Sequence, residues 1–598
     1  MMSHTDLPPI DAEARIEFGH NMTEAAQLTQ AIWTKLAEAP QREGSGDTDP
    51  LNAMPILAEL ARAIWSDPSK LAEATVNYWT DQQAIWQSAM SRLMGGEAMP
   101  VPELPNGGKR FAHKEWSDNA LYECLKNSYL LTAGFLQDQV MQADEMDKLD
   151  QRKAAFLVRN AVEALNPANF FALNPEVLEA TQAENGANLV RGLKMLLEDV
   201  TRGKGKLLIR QTDMDAFEVG RNMAVTPGKV IWQNSIAQLI QYAPSTETVG
   251  ARPFLFVPPW INKYYVVDLN PKKSLMRWLV EQGHTVFIIS WVNPDKRQAD
   301  ETWDSYLQTV MEIIDVVQAE TGEDKVNLGS YCIGGTLAGT LLAYMGKTGD
   351  TRVGSATFFT AQLDFEDAGE LQVFVDEKTL TMVDHQMDQG YFPADTMASA
   401  FNSLRANDLI WGYIVNNYML GKDPFPFDLL YWNSDSTAMP AHVHHYYLEQ
   451  FYIHNALAKG TLQVLNTPIE LADITVPVYH VAAREDHIAP ANSVYRGAQM
   501  MTGSKVRFVL AGSGHIAGVV NPPAAEKYQY WTTQKLAAPD VETWRAKAKE
   551  VAGSWWPDWS KWLHAQDRRK VDARVPGANS TVLEDAPGSY VRVRFDQR

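Results

Sequence analysis

Cysteine is nearly absent from this chain: Cys124 and Cys332 are the two in 598 residues. Two thiols cannot build a disulfide framework, so the composition points to a reducing compartment. Basic charge is also short, with 53 Lys and Arg against 73 Asp and Glu for a net charge of -20. That balance argues against nucleic acid as the main partner, because phosphate neutralisation needs a basic surface. The longest apolar run, Val286 to Val292, falls far short of the roughly 20 residues a membrane helix needs, and no transmembrane segment is expected. The first residues carry Asp6, Asp11 and Glu13 without a basic start or apolar core, so no signal peptide is expected. With 37 glycines and 31 prolines the chain is neither collagenous nor of low complexity. No GxGxxG, Walker or CxxC pattern occurs, so nucleotide and structural zinc readings lose their usual support.

Aromatic residues are plentiful instead, at 18 Trp, 21 Tyr and 21 Phe. Such content fits a large core or apolar surfaces that meet a lipid-like phase or another subunit. Residues 1–100 read as a helical region: Leu57, Leu60 and Ile64, then Leu71, Tyr78 and Ile85, recur at helical spacing. Arg42 to Pro50 is a polar break, and Gly95 to Lys109 is a Gly/Pro linker. A second helical domain is expected over 101–224. From 225 the texture changes to short β-branched and aromatic runs: Phe254–Val257, Val286–Ile289, Val326–Leu328, Ala356–Phe359, Val478–Val481 and Val506–Leu510. Strands alternating with helices predict an α/β domain over 225–598 on a mostly parallel sheet. Between about 366 and 460 the alternation gives way to an irregular aromatic stretch, expected to be a cap or lid.

The segment G-S-Y-C-I-G-G-T, Gly329 to Thr336, lies between a strand-like KVNL and a helix-like LAGTLLAYM. Strand, tight turn and helix form a nucleophile elbow, which makes Cys332 the candidate nucleophile. The small residue two places before it is Ser330 rather than the usual Gly. Partners are sought downstream, where two strands end in polar clusters: Arg484, Glu485, Asp486 and His487, then Gly512, Ser513, Gly514 and His515. His515 is the candidate base, with His487 as its competitor, and Asp486 the candidate orienting carboxylate, with Glu485 as its competitor. The oxyanion would be met by the amide of Ile333 and by one from the early loop Trp260-Ile261-Asn262, with Ile261 central. His487 and Trp432 are further substrate-contact candidates, and Arg405 and Lys422 in the insertion could attract anionic phosphates. The cluster His442, His444 and His445 has no carboxylate or thiol beside it at ligand spacing, and no metal site is expected.

These segments resemble one known family. PPWINKYYVVDL (258–269), SYCIGGT (330–336), NDLIWGYIVNNYMLGKDPFPFDLLYWNSD (407–435), AREDHIAP (483–490), SGHIAGVVNPP (513–523) and GSWWPDW (553–559) are similar, in order, to the polyhydroxyalkanoate synthases of the long, single-subunit class I type. The resemblance runs from about residue 110 to the C-terminus. It implies an α/β-hydrolase fold with an inserted cap. It also implies an acyltransferase that takes (R)-3-hydroxyacyl-CoA, releases CoA and lengthens a polyester on Cys332, with His515 as base and Asp486 as third member. No cofactor is implied beyond the CoA thioester substrate. Also implied are a homodimer formed through the cap and a cytoplasmic place at the polymer granule surface, among granule-associated proteins. Two other readings remain: an esterase, thioesterase or polyester depolymerase on the same fold, and a non-catalytic scaffold coating inclusions.

Overall fold

The computed structural model describes residues 12–37, 51, 53–533 and 535–595. The polar break at 42–50 lies outside the described residues. The chain divides into two compact units, one of residues 1–213 with 401–426, the other of 214–400 with 427–598.

The first unit is helical. Its longer helices are α1 (Ala12–Ala37), α2 (Ala53–Ser66), α3 (Pro68–Leu93), α4 (Ala120–Met141), α5 (Lys148–Ala164), α6 (Pro175–Ala183) and α7 (Ala187–Arg202). Local chemistry starts several of them. Asp67 accepts from the amides of Ser69 and Lys70 ahead of α3, and Asn174 accepts from those of Glu176 and Val177 ahead of α6, each with Pro at the first helical position. Amphipathic faces then pack: Ile56, Leu60 and Ala63 of α2 meet Val140, Ala143, Met146 and Ala154 around α5. The Gln82 amide donates to Ser128 Oγ at 2.6 Å between α3 and α4. Trp33, Trp65, Trp79 and Trp86 stay more than half exposed, at 67, 68, 57 and 54 %.

The 401–426 segment, expected within the cap, packs with these helices instead. Tyr418 Oη donates to Asp199 at 2.7 Å, and the Asn188 side chain donates to the Met419 carbonyl at 2.9 Å. The contact requires glycine at 192, where a Cβ would lie 2.1 Å from the Tyr418 carbonyl oxygen.

Among the described residues, the second unit is built on an eleven-stranded sheet. Its strands are β1 (Gly228–Gln233), β2 (Ala237–Tyr242), β3 (Phe254–Val257), β4 (Val286–Trp291), β5 (Val326–Tyr331), β6 (Val353–Phe359), β7 (Val478–Ala483), β8 (Val506–Ala511), β9 (Gln529–Thr533), β10 (Lys549–Ala552) and β11 (Glu584–Asp585). The order is β10-β9-β8-β7-β6-β5-β3-β4-β2-β1-β11. From β4 through β8 neighbouring strands are parallel; the pairs outside them on both flanks are antiparallel. Strands β3, β4 and β5 are buried along their whole length, as parallel strands covered on both faces must be. Helices α8 (Ile333–Thr348) and α9 (Ala491–Met500) follow β5 and β7. Helix α10 (Trp556–Gln566) seats Trp556 and Trp559 in a core with Phe254 and Phe359; such buried side chains each contribute about 2–3 kcal/mol of transfer free energy.

Candidate active site

Parallel register sets the site. Tyr331 of β5 pairs with Phe359 of β6, Phe359 with Val481 of β7, and Ala483 of β7 with Ala511 of β8. The C-terminal ends of four strands therefore lie side by side, where open α/β sheets assemble their sites. Cys332 leaves β5 at φ 52° and ψ -128°, and α8 begins at the next residue. A non-glycine residue held at positive φ is costly and marks a turn that its surroundings enforce. The Cys332 amide donates to the Phe359 carbonyl at 3.1 Å. Close approach explains the following glycines: a Cβ at 334 would lie 2.5 Å from the Val257 carbonyl oxygen, and one at 335 would lie 2.2 Å from Ala361 Cβ. Ser330, where a glycine is usual, is buried, and its hydroxyl donates to the Thr357 carbonyl at 3.0 Å.

The loops after β7 and β8 supply the other two groups. Backbone bonds join them: the Arg484 amide donates to Ala511 O and the Glu485 amide to Ser513 O, both at 2.9 Å. Asp486 Oδ2 lies 2.6 Å from His515 Nδ1, and both side chains are buried. The other carboxylate oxygen accepts from the amides of Ile488 and Ala489 at 2.9 and 2.8 Å. Tyr331 stacks on the imidazole with centroids 5.2 Å apart, and its hydroxyl donates to the His515 carbonyl at 3.2 Å. Burial pulls the proton affinity of His515 down; the charges of Asp486 and Cys332, with hydrogen bonds to both, outweigh it and raise its pKa to about 10. The imidazole is thus paired with the carboxylate and feels the charge of Cys332.

The competitors fall elsewhere. Glu485 is exposed, and His487 is half-buried with its carbonyl accepting from the Glu370 amide at 3.1 Å. Trp432 is buried and its indole N–H donates to the Lys263 carbonyl at 2.7 Å. Arg405 belongs to the first unit, where it pairs with Asp408, and Lys422 pairs there with Glu176. Ile333 is the first residue of α8, and Ile261 stands half-buried in the loop after β3. His444 is buried against Phe392, and His445 pairs with Asp384 at 2.8 Å. Among the described residues no group of three or more His, Cys, Asp or Glu side chains is placed to hold a metal ion.

Sequence reasoning missed Tyr447 and Tyr452 as neighbours of the thiol. Both phenols are buried, and burial together with the nearby Cys332 charge pushes their pKa values up. They belong to the π-helical turn Tyr447–Ile453, whose wider winding sets residues five apart side by side, with ring centroids 5.4 Å apart. Trp303, Phe365 and Phe451 pack around them.

A strand-turn-helix elbow with a histidine and a carboxylate from later strand ends defines the α/β-hydrolase class, and residues 253–522 match the family model of the alpha/beta hydrolase fold. Residues 107–279 match the model described as poly-beta-hydroxybutyrate polymerase (PhaC) N-terminus. The chain is 47% identical over 581 residues to the poly(3-hydroxyalkanoate) polymerase subunit PhaC of Rhizobium meliloti (strain 1021), covering 96% of this chain and 94% of that protein. It is 47% identical over 555 residues to the poly(3-hydroxyalkanoate) polymerase of Methylorubrum extorquens, covering 92% and 91%. With the PhaC subunit of Cupriavidus necator the identity is 40% over 572 residues, covering 94% of each. The chain belongs to the poly(3-hydroxyalkanoate) polymerase family. Among the described residues no helix is long and apolar enough to cross a membrane.

Proposed function

We propose that this protein polymerises (R)-3-hydroxyacyl-CoA into polyhydroxyalkanoate with release of CoA, through an acyl thioester on Cys332. The observation that carries the reading is the buried His515 imidazole, bonded to Asp486 and raised in proton affinity by Asp486 and Cys332, in a chain 47% identical to a poly(3-hydroxyalkanoate) polymerase.

The chemistry follows from those positions. His515, made more basic by Asp486, takes the Cys332 proton. The sulfur attacks the thioester carbonyl, and the amide of Ile333 with one from the loop around Ile261 stabilises the oxyanion. The bond to the CoA sulfur breaks, and the leaving thiolate takes the proton from His515. One thioester has replaced another, so the acyl group keeps its activation. The 3-hydroxyl of another unit then loses its proton to a base at the site and attacks the Cys332 thioester. An ester bond forms, and the sulfur departs with the proton. Buried aromatic side chains near the thiol, Tyr447 and Tyr452 among them, keep water from competing with that hydroxyl. No cofactor or metal takes part. His487 and Trp432 act near the acyl chain.

The protein acts in the cytoplasm as a homodimer formed through its cap, at the surface of polymer granules with granule-associated proteins. The exposed tryptophans of α1, α2 and α3 would face that apolar surface. The test is incubation with a short (R)-3-hydroxyacyl-CoA while following thiol release and turbidity together. Both should rise with the wild type and neither with Cys332→Ala; thiol release without turbidity would point to a thioesterase instead.

A further inference from the structure

We propose that Asp435 is a positioning residue for acyl transfer: its ion pair with Lys263 holds the loop Pro258–Lys263 where a backbone amide meets the oxyanion. The inference rests on the polymerase reading and adds to it a residue outside the Cys332, His515 and Asp486 set.

The loop lies directly on the nucleophile turn. A Cβ at Gly334, two residues past Cys332, would stand 2.5 and 2.6 Å from the carbonyl oxygens of Val257 and Pro258. Pro258 and Pro259 have no N–H, so the first amides the loop can offer belong to Trp260, Ile261 and Asn262. Their direction depends on what grips the carbonyls around them, and residues 432–437 grip them repeatedly. Thr437 Oγ1 donates to the Trp260 carbonyl at 2.6 Å, and Trp432 Nε1 to the Lys263 carbonyl at 2.7 Å. The Asn262 side chain donates to the Trp432 carbonyl at 3.3 Å, and Asn262 pairs with Ser436 backbone to backbone.

Asp435 stands at the centre of this clamp. Its side chain is fully buried, and Oδ1 lies 2.7 Å from Lys263 Nζ, itself 3 % exposed. Oδ2 accepts from Tyr265 Oη at 2.8 Å, and Arg594 near the C-terminus reaches the same carboxylate at 3.8 Å. Desolvation largely offsets the attraction of a buried ion pair, so such a pair is a poor source of stability and a good source of fixed geometry. Two charges pinned between the early loop and the insertion restrict the loop to one arrangement.

The test compares two reactions of Cys332 in the full-length protein. Acylation by (R)-3-hydroxybutyryl-CoA, read as single-turnover CoA release, needs the oxyanion amide; alkylation by iodoacetamide does not. Asp435→Asn should slow acylation about 100-fold, with KM within about threefold and the alkylation rate within about twofold of wild type. A double variant, Lys263→Met with Asp435→Leu, removes both charges of the pair, leaves Arg594 on the face of Tyr431, and should melt near the wild type while acylating as slowly as Asp435→Asn. It decides the matter alone if Asp435→Asn does not fold. Wild-type acylation in a double variant that melts like wild type would overturn the proposal, as would alkylation falling in step with acylation. Absence of CoA release from the wild type would sink the polymerase reading itself.

Discussion

His515 Nδ1 stands 2.6 Å from Asp486 Oδ2, while two backbone amides hold the opposite carboxylate oxygen. The carboxylate is therefore fixed before it orients anything, and the ring inherits that direction. Replacing Asp486 by Asn keeps the shape and removes the charge that raises the proton affinity of His515. CoA release should fall by about 10²- to 10⁴-fold with little change in fold. Steady-state kinetics beside circular dichroism measure both, and an unchanged kcat would contradict the arrangement.

Gly334→Ala tests the approach of β3 to the nucleophile turn. The added methyl would meet the carbonyl oxygens of Val257 and Pro258 at 2.5 and 2.6 Å, backbone atoms that cannot swing aside. A loss of about 1–3 kcal/mol in stability is expected, together with a larger fall in acylation than the same methyl causes at exposed Gly19 in α1, which has nothing near it. Chemical denaturation and single-turnover kinetics on the two variants provide the comparison.

Stability should peak near neutral pH. Burial lowers the pKa of His284 and His444 to about 3 and that of His480 to about 4. These rings fold neutral, so their contribution is present above the unfolded value near 6.5 and is lost as pH falls toward 4, by about 1.4 kcal/mol per unit for each. Asp268, raised by burial to about 6, works the other way below that pH and offsets one of the three. His515 is raised to about 10, so its contribution is complete below about 6.5 and disappears as pH climbs through 10. Thermal midpoints from pH 4 to 10 should fall on both sides of neutrality. The alkaline fall should be shallower in His515→Gln.

The exposed indoles of the first unit should matter for the polymer and not for the chemistry. Changing Trp65, Trp79 and Trp86 to Ser removes apolar surface without opening a core, since each is more than half exposed. Acylation by soluble thioester should stay within about twofold of wild type, while sedimentation with polymer granules should drop by about tenfold or more. Granule binding equal to wild type would remove these side chains from the interface.

Much of this was legible in the sequence for physical reasons. The runs at 254, 286, 326, 356, 478 and 506 are continuous because parallel strands are buried on both faces, and each became a strand of the sheet. Strands β1, β2 and β9 to β11 escaped notice: they form the antiparallel flanks, and the outer ones mix exposed with buried positions. The elbow at Cys332 is a local pattern and could be read directly. Pairing His515 with Asp486 depends on the register of β7 with β8, which no local pattern reveals. The packing of 401–426 with the first unit turns on distant contacts, Gly192 beneath Tyr418 and the bonds from Tyr418 to Asp199 and from Asn188 to Met419 among them. Tyr447 and Tyr452 come together through a π-helical turn, and a search at α-helical spacing does not align them.

The central claim is that acyl groups pass through the Cys332 sulfur on their way into polymer. Intact-protein mass spectrometry after brief mixing with (R)-3-hydroxybutyryl-CoA tests it most directly, with peptide mapping of the adduct. The account predicts an added hydroxybutyryl mass, or a ladder of them, on the peptide holding Cys332, formed as CoA appears and absent in Cys332→Ala. CoA release and polymer from the Cys332→Ala protein, or an adduct mapped to Cys124, would contradict it.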